Sequence, residues 1–204
     1  PDRIALYSFA YVPWIYPHQK ILEKHAFPDS DEKISLFLQA REQLLDEDYI
    51  SIAMDHFALE TDELGIAYKK GELHRNFMGY TTLTTSDYIG LGCSSIGYLS
   101  HNFAQNTKDL KTYYALLDDG ILPIERGYTL SKNDIIKQWI ISSLMCQFQI
   151  DKEAFERRFN KNFDVLFSGK KDFLLQCQEE NLIVLNEKVI TVTELGRLFV
   201  RNIC

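Results

Sequence analysis

Two short clusters of polar residues carry the side chains most able to do chemistry in this sequence. The first is the pair Asp55-His56, which follows the apolar stretch from Tyr49 to Met54. In α/β folds, ligands bind at the carboxyl ends of parallel strands, so this position favours a functional carboxylate–imidazole pair. A capped, hydrogen-bonded core histidine is the competing interpretation, and for an isolated pair it is the commoner one.

The second cluster is the segment His74-Arg75-Asn76, which precedes Phe77 and Tyr80. It places an imidazole, a guanidinium and an amide next to one another and close to aromatic rings. The planar fork of Arg75 is suited to holding a carboxylate through two hydrogen bonds. A polar surface loop with a solvated arginine explains the same residues equally well.

Other catalytic patterns are absent. The sequence has no GxSxG elbow, no HExxH pair and no P-loop, and Gly90-Leu91-Gly92 lacks the third glycine of a dinucleotide-binding loop. The four cysteines are far apart, so no metal-ligand spacing arises and reduced, mostly buried thiols are expected: Cys93, Cys146, Cys177 and Cys204. We therefore predict no metal ligands in this chain.

The composition describes a globular protein with a sizeable core, since 46% of its 204 residues are hydrophobic and 25% are charged. The net charge of -7 argues against a nucleic-acid partner, because phosphate binding needs an excess of Lys and Arg. A locally basic pocket for an acidic small molecule remains compatible with that charge. No apolar run is long enough to cross a bilayer, so we expect no membrane partner.

The first part of the chain is predicted to alternate strands and helices, which is typical of a parallel sheet with outer helices. Asp29 or Ser30 is expected to cap the first helix, and Asn106 or Thr107 a later one. The predicted strands are Arg3–Phe9, Tyr49–Met54, Tyr88–Leu91 and Ser94–Leu99, and the predicted helices are Asp31–Asp46, Asp62–Lys70 and Asn106–Leu117.

The pattern changes near residue 130, and we predict a domain boundary there, with domains 1–130 and 131–204. Three helices, a hairpin and a last helix follow, which is a winged-helix arrangement: Asp134–Phe148, Lys152–Phe159, Lys171–Asn181, Leu182–Leu185 with Val189–Val192, and a helix that Thr193 caps and that buries Leu195, Leu198 and Phe199. A free-standing DNA-binding regulator is one interpretation. The acidic residues Asp172, Glu179 and Glu180 in the candidate recognition helix argue against it.

One segment supports a family resemblance. The string His74-Arg75-Asn76-Phe77-Met78-Gly79-Tyr80-Thr81-Thr82 closely resembles the HRNFQGYTT segment of oxygen-independent coproporphyrinogen III oxidases. The opening Pro1-Asp2-Arg3, the block Met54-Asp55-His56-Phe57-Ala58 and the closing Arg197–Cys204 agree in order, so the resemblance covers essentially the whole chain. Haem chaperones share the fold but usually carry His-Asn-x-x-Tyr-Trp here. Arg75 and Thr81 favour the oxidase, and a haem-binding chaperone is the alternative.

The resemblance implies a fold, an activity and cofactors. The fold would be α/β: the C-terminal part of an incomplete (β/α) radical-SAM barrel, followed by a mostly helical, winged-helix-like domain. The family oxidatively decarboxylates coproporphyrinogen III to protoporphyrinogen IX in anaerobic haem biosynthesis, in the cytoplasm and with an electron donor or acceptor. It uses two S-adenosylmethionine (SAM) molecules and a [4Fe–4S] cluster held by a CxxxCxxC loop. This chain has no such loop, so we expect it to be inactive by itself.

The resemblance also assigns site residues. Ala10, Met78 and Ile96 match SAM contacts of the family, although Met78 replaces a glutamine and cannot make amide hydrogen bonds. Arg75 or His56 is expected to bind a propionate or SAM carboxylate, and His74 and Asp55 are further candidates. Without the rest of the barrel, an exposed sheet edge is expected to cause self-association or to be covered.

Overall fold

A computed structural model describes residues 1–83 and 87–204 and shows a mixed α/β chain. The chain divides into two compact units, Pro1–Lys70 and Gly71–Cys204, which are described separately. In the described residues the strands form separate sheets of two or three strands and close no barrel. The domain boundary near residue 130 stays a prediction.

The first unit contains a three-stranded sheet built from β1 (Arg3–Ala5), β2 (Tyr49–Ser51) and β3 (His56–Leu59). The predicted parallel pairing is wrong, because β3 lies between β1 and β2 and is antiparallel to both. A short turn after β2 sends the chain straight back, so β3 lies beside β1, where the strand–helix–strand pattern had predicted β2. Ile52, Ala53, Phe57 and Ala58 form the core around this turn.

β1 is also shorter than predicted. It ends at Ala5, and Tyr7 and Phe9, which were expected in a buried strand, have 76% and 56% of their surface exposed. The chain then forms a 3₁₀ helix, Pro17–Lys24. β1 is held by Arg3, whose guanidinium donates to Asp62 at 2.9 Å and to Glu63 at 2.6 Å, at the start of the second helix.

Two α-helices complete the first unit. α1 (Ser30–Asp46) begins as predicted, because Asp29 and Glu32 exchange side-chain hydrogen bonds with each other's backbone in a capping box. Its apolar residues Ile34 and Leu38 stay exposed in the described structure. α2 (Glu63–Lys70) packs tightly on β3, since a Cβ on Gly65 would lie 2.4 Å from the Leu59 carbonyl oxygen.

The second unit opens with a hairpin, β4 (His74–Asn76) and β5 (Gly79–Thr81), and continues with an antiparallel sheet in the order β6-β7-β8. Its strands are β6 (Ile96–Leu99), β7 (Asn102–Asn106) and β8 (Ile124–Thr129). The sequence did not predict β7 or β8. The strand predicted at Tyr88–Leu91 is only a single bridge between Tyr88 and Tyr98.

Helix α3 (Leu110–Asp118) connects β7 to β8. It starts later than predicted, because Asp109 and not Asn106 or Thr107 accepts the Thr112 N–H. Asn106 instead belongs to β7, and its side-chain amide donates to the Gly92 carbonyl at 2.9 Å.

The remaining elements follow the prediction closely. Ser131, Asp151 and Thr193 cap their helices as expected, and a third strand that was not predicted joins the hairpin in the order β10-β11-β9. The elements are α4 (Lys132–Gln147), β9 (Gln149–Asp151), α5 (Lys152–Phe159), α6 (Phe163–Leu166), a 3₁₀ turn (Ser168–Lys170), α7 (Lys171–Glu179), β10 (Ile183–Leu185), β11 (Val189–Val192), α8 (Glu194–Leu198) and α9 (Val200–Ile203).

The last helix differs from the prediction in one respect. It breaks at Phe199 into α8 and α9, so Leu195 and Phe199 are exposed and Leu198 is half-buried. Gly196, Val200 and Ile203 are the residues that this segment buries. The break changes which face of the segment points to the core.

Candidate functional site

The Asp55–His56 pair lies where the turn after β2 meets the start of β3. His56 begins an antiparallel strand, so the prediction that the pair ends a parallel strand is wrong. His56 Nδ1 and Asp55 Oδ1 are 2.6 Å apart, with the two side chains 33% and 22% exposed. The carboxylate orients the half-buried imidazole ring.

The backbone around this pair is fixed on both sides. The Asp55 carbonyl accepts the Leu6 N–H at 2.7 Å, and the His56 carbonyl accepts the Ile52 N–H at 3.0 Å. His56 is also the register partner of Ala5, at the end of β1. The pair is therefore part of the framework that joins β1 to β3, and its role in binding stays a prediction.

Ala10 lies in the same unit, beyond β1, and is exposed. Gln19 of the 3₁₀ helix holds the loop: its Nε2 donates to the Ala10 carbonyl at 3.2 Å, and its Oε1 accepts the Val12 N–H at 2.6 Å. Ala10 has only a methyl group and its backbone to offer a ligand, and its carbonyl is already engaged.

Met78 and Phe77 form the two-residue turn between β4 and β5. Asn76 and Gly79 are register partners, and Gly79 has a φ of 125°, which a residue with a Cβ rarely adopts. The Met78 N–H donates to Asn76 Oδ1 at 2.8 Å, which stabilises the turn. The Met78 side chain projects from it and is 92% exposed.

Arg75 lies on β4 beside Tyr80, with its guanidinium carbon 5.7 Å from the ring centroid. The Tyr80 hydroxyl donates to the Met145 carbonyl of α4 at 3.2 Å, which anchors the hairpin. Burial raises the pKa of the Cys146 thiol to about 11, and the positive charge of Arg75 opposes that rise. Burial also raises the pKa of Cys204, again against the Arg75 charge. The charge of Arg75 thus favours the thiolate form of both cysteines. His74, beside Arg75, is exposed.

Ile96 lies in a groove of about 320 Å³ on one face of the β6-β7-β8 sheet. The Phe77 ring meets the Phe103 ring edge-on, with centroids 5.3 Å apart, so the hairpin turn that carries Met78 borders the same groove. The groove is lined by Phe77, Ile96, Phe103, Gln105, Arg126, Gly127 and Tyr128. Sequence reasoning missed Gln105 and Arg126, because β7 and β8 were not predicted.

The predicted site residues therefore divide between the two units. Ala10, Asp55 and His56 belong to the first, and the hairpin residues His74, Arg75 and Met78 belong to the second with Ile96. The structure brings Ile96 and the Phe77-Met78 turn to one groove.

Within residues 1–83 and 87–204, no three His, Cys, Asp or Glu side chains gather closely enough to hold a metal ion. Cys146 and Cys177 are buried, and the Cys93 thiol donates to the Thr107 carbonyl at 3.1 Å. The described residues thus do not fit the ligand set of an iron–sulfur cluster. In the same ranges, no helix combines the length and apolar character that crossing a membrane requires.

Comparison with known proteins places this geometry in context. The HemN C-terminal domain matches residues 130–199. Oxygen-independent coproporphyrinogen III oxidases are similar over the whole chain: that of Synechocystis sp. is 42% identical, with 44% of its own length covered, and that of Thermostichus vulcanus is 43% identical, with 63% covered. The chain thus spans about half the length of the curated relatives it matches.

A solved structure agrees. Coproporphyrinogen III oxidase (HemN) from Escherichia coli, described as a radical SAM enzyme, superposes with a TM-score of 0.95 at 36% identity, covering 100% of this chain and 47% of that one. The resemblance in the hairpin and turn motifs is confirmed along the full chain, which is similar throughout to a part of the oxygen-independent coproporphyrinogen III oxidases.

Proposed function

We propose that the protein containing this chain oxidatively decarboxylates coproporphyrinogen III to protoporphyrinogen IX in anaerobic haem biosynthesis. The observation that carries this proposal is the full-chain similarity to oxygen-independent coproporphyrinogen III oxidases, at 42% and 43% identity, together with the TM-score of 0.95 to the Escherichia coli enzyme. The protein would act in the cytoplasm, with an electron donor or acceptor and without a nucleic-acid partner.

The cofactors would be SAM and a [4Fe–4S] cluster, which supply the radical chemistry in this family. No ligand set for a cluster occurs in the described residues, so its ligands would lie in parts of the protein outside this chain. This chain would contribute walls and positioning groups to the active site, and by itself it would be inactive.

Ala10, Met78 and Ile96 are the proposed SAM contacts. The shared groove of Ile96 and the Phe77-Met78 turn supports this assignment for the second unit. The thioether of Met78 can pack against a flat ring, but it lacks the amide groups of the glutamine found in the family. Arg75, His56, His74 and Asp55 stay candidates for binding a propionate or SAM carboxylate.

The finer fold assignment is part of the same proposal. Residues 1–130 would form the last part of an incomplete (β/α) barrel, and residues 131–204 a winged-helix-like domain. The β10-β11-β9 sheet with α4, α5 and α7 supports the second assignment.

The test is anaerobic turnover of coproporphyrinogen III by the full-length protein, with its cluster reconstituted and with SAM and a reductant. Formation of protoporphyrinogen IX supports the proposal and shows that methionine is tolerated at position 78. Haem binding without any decarboxylation would contradict it and would favour the haem-chaperone alternative.

A further inference from the structure

The loop that leads into β6 is folded back on the first residues of that strand. Tyr88 and Tyr98 exchange two backbone hydrogen bonds, of 2.7 and 2.8 Å, so the chain between them doubles back sharply. Residues 90–95, here called the glycine loop, therefore lie against the start of β6. A Cβ on Gly90 would be 2.8 Å from the carbonyl carbon of Ile96. The conformation of the glycine loop thus affects the position of Ile96.

The side-chain amide of Asn106, the last residue of β7, holds the glycine loop. Its Nδ2 donates to the Gly92 carbonyl at 2.9 Å and to the Ser95 hydroxyl at 3.0 Å, with a longer contact of 3.4 Å to the Gly90 carbonyl. The Ser95 hydroxyl in turn donates to the Gly92 carbonyl at 2.7 Å. Because carbonyl oxygens only accept hydrogen bonds, the amide NH₂ of Asn106 has to face the loop.

The backbone of the glycine loop has a conformation that depends on such support. Gly92 and Ser94 have φ angles of 97° and 62°, and a residue with a Cβ keeps a left-handed conformation only where its surroundings enforce it. The Ser94 N–H donates to the Thr107 carbonyl at 2.8 Å, and the Asn106 N–H donates to the Ser95 carbonyl at 2.9 Å. The end of β7 therefore holds the loop through both its backbone and the Asn106 side chain.

We propose that Asn106 is a positioning residue for SAM binding, because it fixes the glycine loop against the backbone of Ile96. The inference rests on the proposed function, in which Ile96 is a SAM contact. Ile96 and Gln105 are the outermost register pair of β6 and β7, so a displaced loop can move Ile96. Asn106 acts through the loop, and the N–H donors of its amide are the groups on which this action depends.

The experiment uses the full-length, cluster-reconstituted protein, with SAM affinity measured by calorimetry and the KM for coproporphyrinogen III measured in turnover at saturating SAM. Asn106→Asp keeps the shape and an acceptor oxygen but loses the N–H donors, and Asn106→Ala removes the whole group. Asn102→Asp is the matched control. Asn102 is the first residue of β7, and its amide donates to the Ser100 carbonyl at 2.9 Å, at the opposite end of the strand.

We expect Asn106→Asp and Asn106→Ala to weaken SAM binding by about tenfold, because the hydrogen bonds that order the loop are lost. The KM for coproporphyrinogen III should stay unchanged, which separates a positioning role toward SAM from a general loss of structure. Asn102→Asp should bind SAM as tightly as the wild type.

The thiol of Cys93 offers a local measurement of the loop that needs no ligand. Cys93 belongs to the glycine loop, and its Sγ donates to the carbonyls of Thr107 and Lys108, each at 3.1 Å. In both Asn106 variants iodoacetamide should label Cys93 several-fold faster than in the wild type, because the loop opens more often. Cys146, which is buried, should stay unlabelled, and this internal control shows that the variants remain folded.

Unchanged SAM affinity in Asn106→Asp, or an equal loss in Asn102→Asp, would overturn the inference. Faster labelling of Cys93 without any loss of SAM affinity would also overturn it, since the loop would then be free without an effect on the ligand. Wild-type protein that binds no SAM would overturn the inference together with the SAM contacts proposed above. Failure of the proposed reaction is seen separately, as wild-type protein that binds SAM but forms no protoporphyrinogen IX.

Discussion

The imidazole of His56 is held by the carboxylate of its neighbour in sequence, Asp55. Asp55 Oδ1 lies 2.6 Å from the ring, and the two side chains are at most one third exposed. We expect Asp55→Asn to lower the free energy of unfolding by about 1 kcal/mol, since a charge-assisted bond becomes a neutral one at a partly solvated position. Urea denaturation measures this. Asp2→Asn, at an exposed position of the same unit, serves as the control, and equal effects of the two changes would contradict the role given to the pair.

Cys146 shows how burial controls the chemistry of a thiol. Because its pKa is raised to about 11, it stays protonated at about pH 8 and lacks the thiolate that alkylation requires. We expect iodoacetamide to leave Cys146 unmodified in the folded protein and to label it in denaturant, as mass spectrometry of the peptides would show. Rapid labelling of Cys146 in the native state would contradict the burial of this part of α4.

The start of α4 shows how an element depends on a few polar groups. The hydrogen bonds from the Ser131 hydroxyl and backbone, and then that from Tyr128, lower the pKa of Asp134. A carboxyl whose pKa is lowered by folding stabilises the protein above its unfolded pKa, and this stabilisation is lost as the pH falls through the folded value. We therefore expect the difference in melting temperature between wild type and Asp134→Asn to be greatest near neutral pH and to shrink below about pH 4.

The matched control for this experiment is Asp172→Asn. Asp172 also lies in the first turn of a helix, but no side chain caps α7. A difference that does not change with pH, or an identical pH response in Asp172→Asn, would count against the capping role of Asp134.

α8 packs so closely against Leu182 and β11 that Gly196 has no room for a side chain. A Cβ on Gly196 would lie 1.9 Å from the Leu182 carbonyl oxygen, so backbone must move to accept it. We expect Gly196→Ala to cost about 3 kcal/mol or more in the free energy of unfolding, as severe overpacking does. Gly169→Ala is the control, since nothing lies within 4 Å of the corresponding atom there. A loss in Gly196→Ala no larger than in the control would disprove the close packing.

Elements that depend on interactions between residues close in sequence could be predicted, and elements that depend on distant residues could not. The caps at Asp29, Ser131, Asp151 and Thr193 were predicted correctly, because each bonds to a backbone N–H only three residues away. The central place of β3 depends on pairing between Ile4 and Phe57, which no local pattern contains. For the same reason only part of the groove lining could be predicted: the resemblance named Ile96, whereas Arg126 is brought there by the pairing of β8 with β7.

At the scale of the whole chain, the outer strands of the first sheet can pair with a second copy of the chain. β1 and β2 are the outer strands of the first sheet, and each has a strand neighbour on one side only in the described residues. We expect the 204-residue chain to form dimers or larger species with increasing concentration, because an unpaired strand edge is a template for another chain. Size-exclusion chromatography with light scattering measures this.

A lysine introduced on β1 tests whether the edge of the first sheet causes this association. Ala5→Lys places a charge at an exposed position of β1 and should shift the chain toward monomer, whereas Ala26→Lys, exposed but outside the sheet, should not. A wild-type chain that stays monomeric at all concentrations would refute association through this edge.

The order of strand pairing also determines how the chain can fold. Most pairs join strands that follow each other directly, as in β2–β3, β4–β5, β6–β7 and β10–β11, so little of the chain is restricted when they form. Among the described strands, β1–β3 and β9–β11 join those most distant in sequence, with register partners such as Arg3 and Ala58. The entropy of closing these long loops has to be overcome before their contacts form. In pulse-labelling hydrogen exchange, the amides of β1 and β9 should therefore become protected last, after the hairpins are already in place.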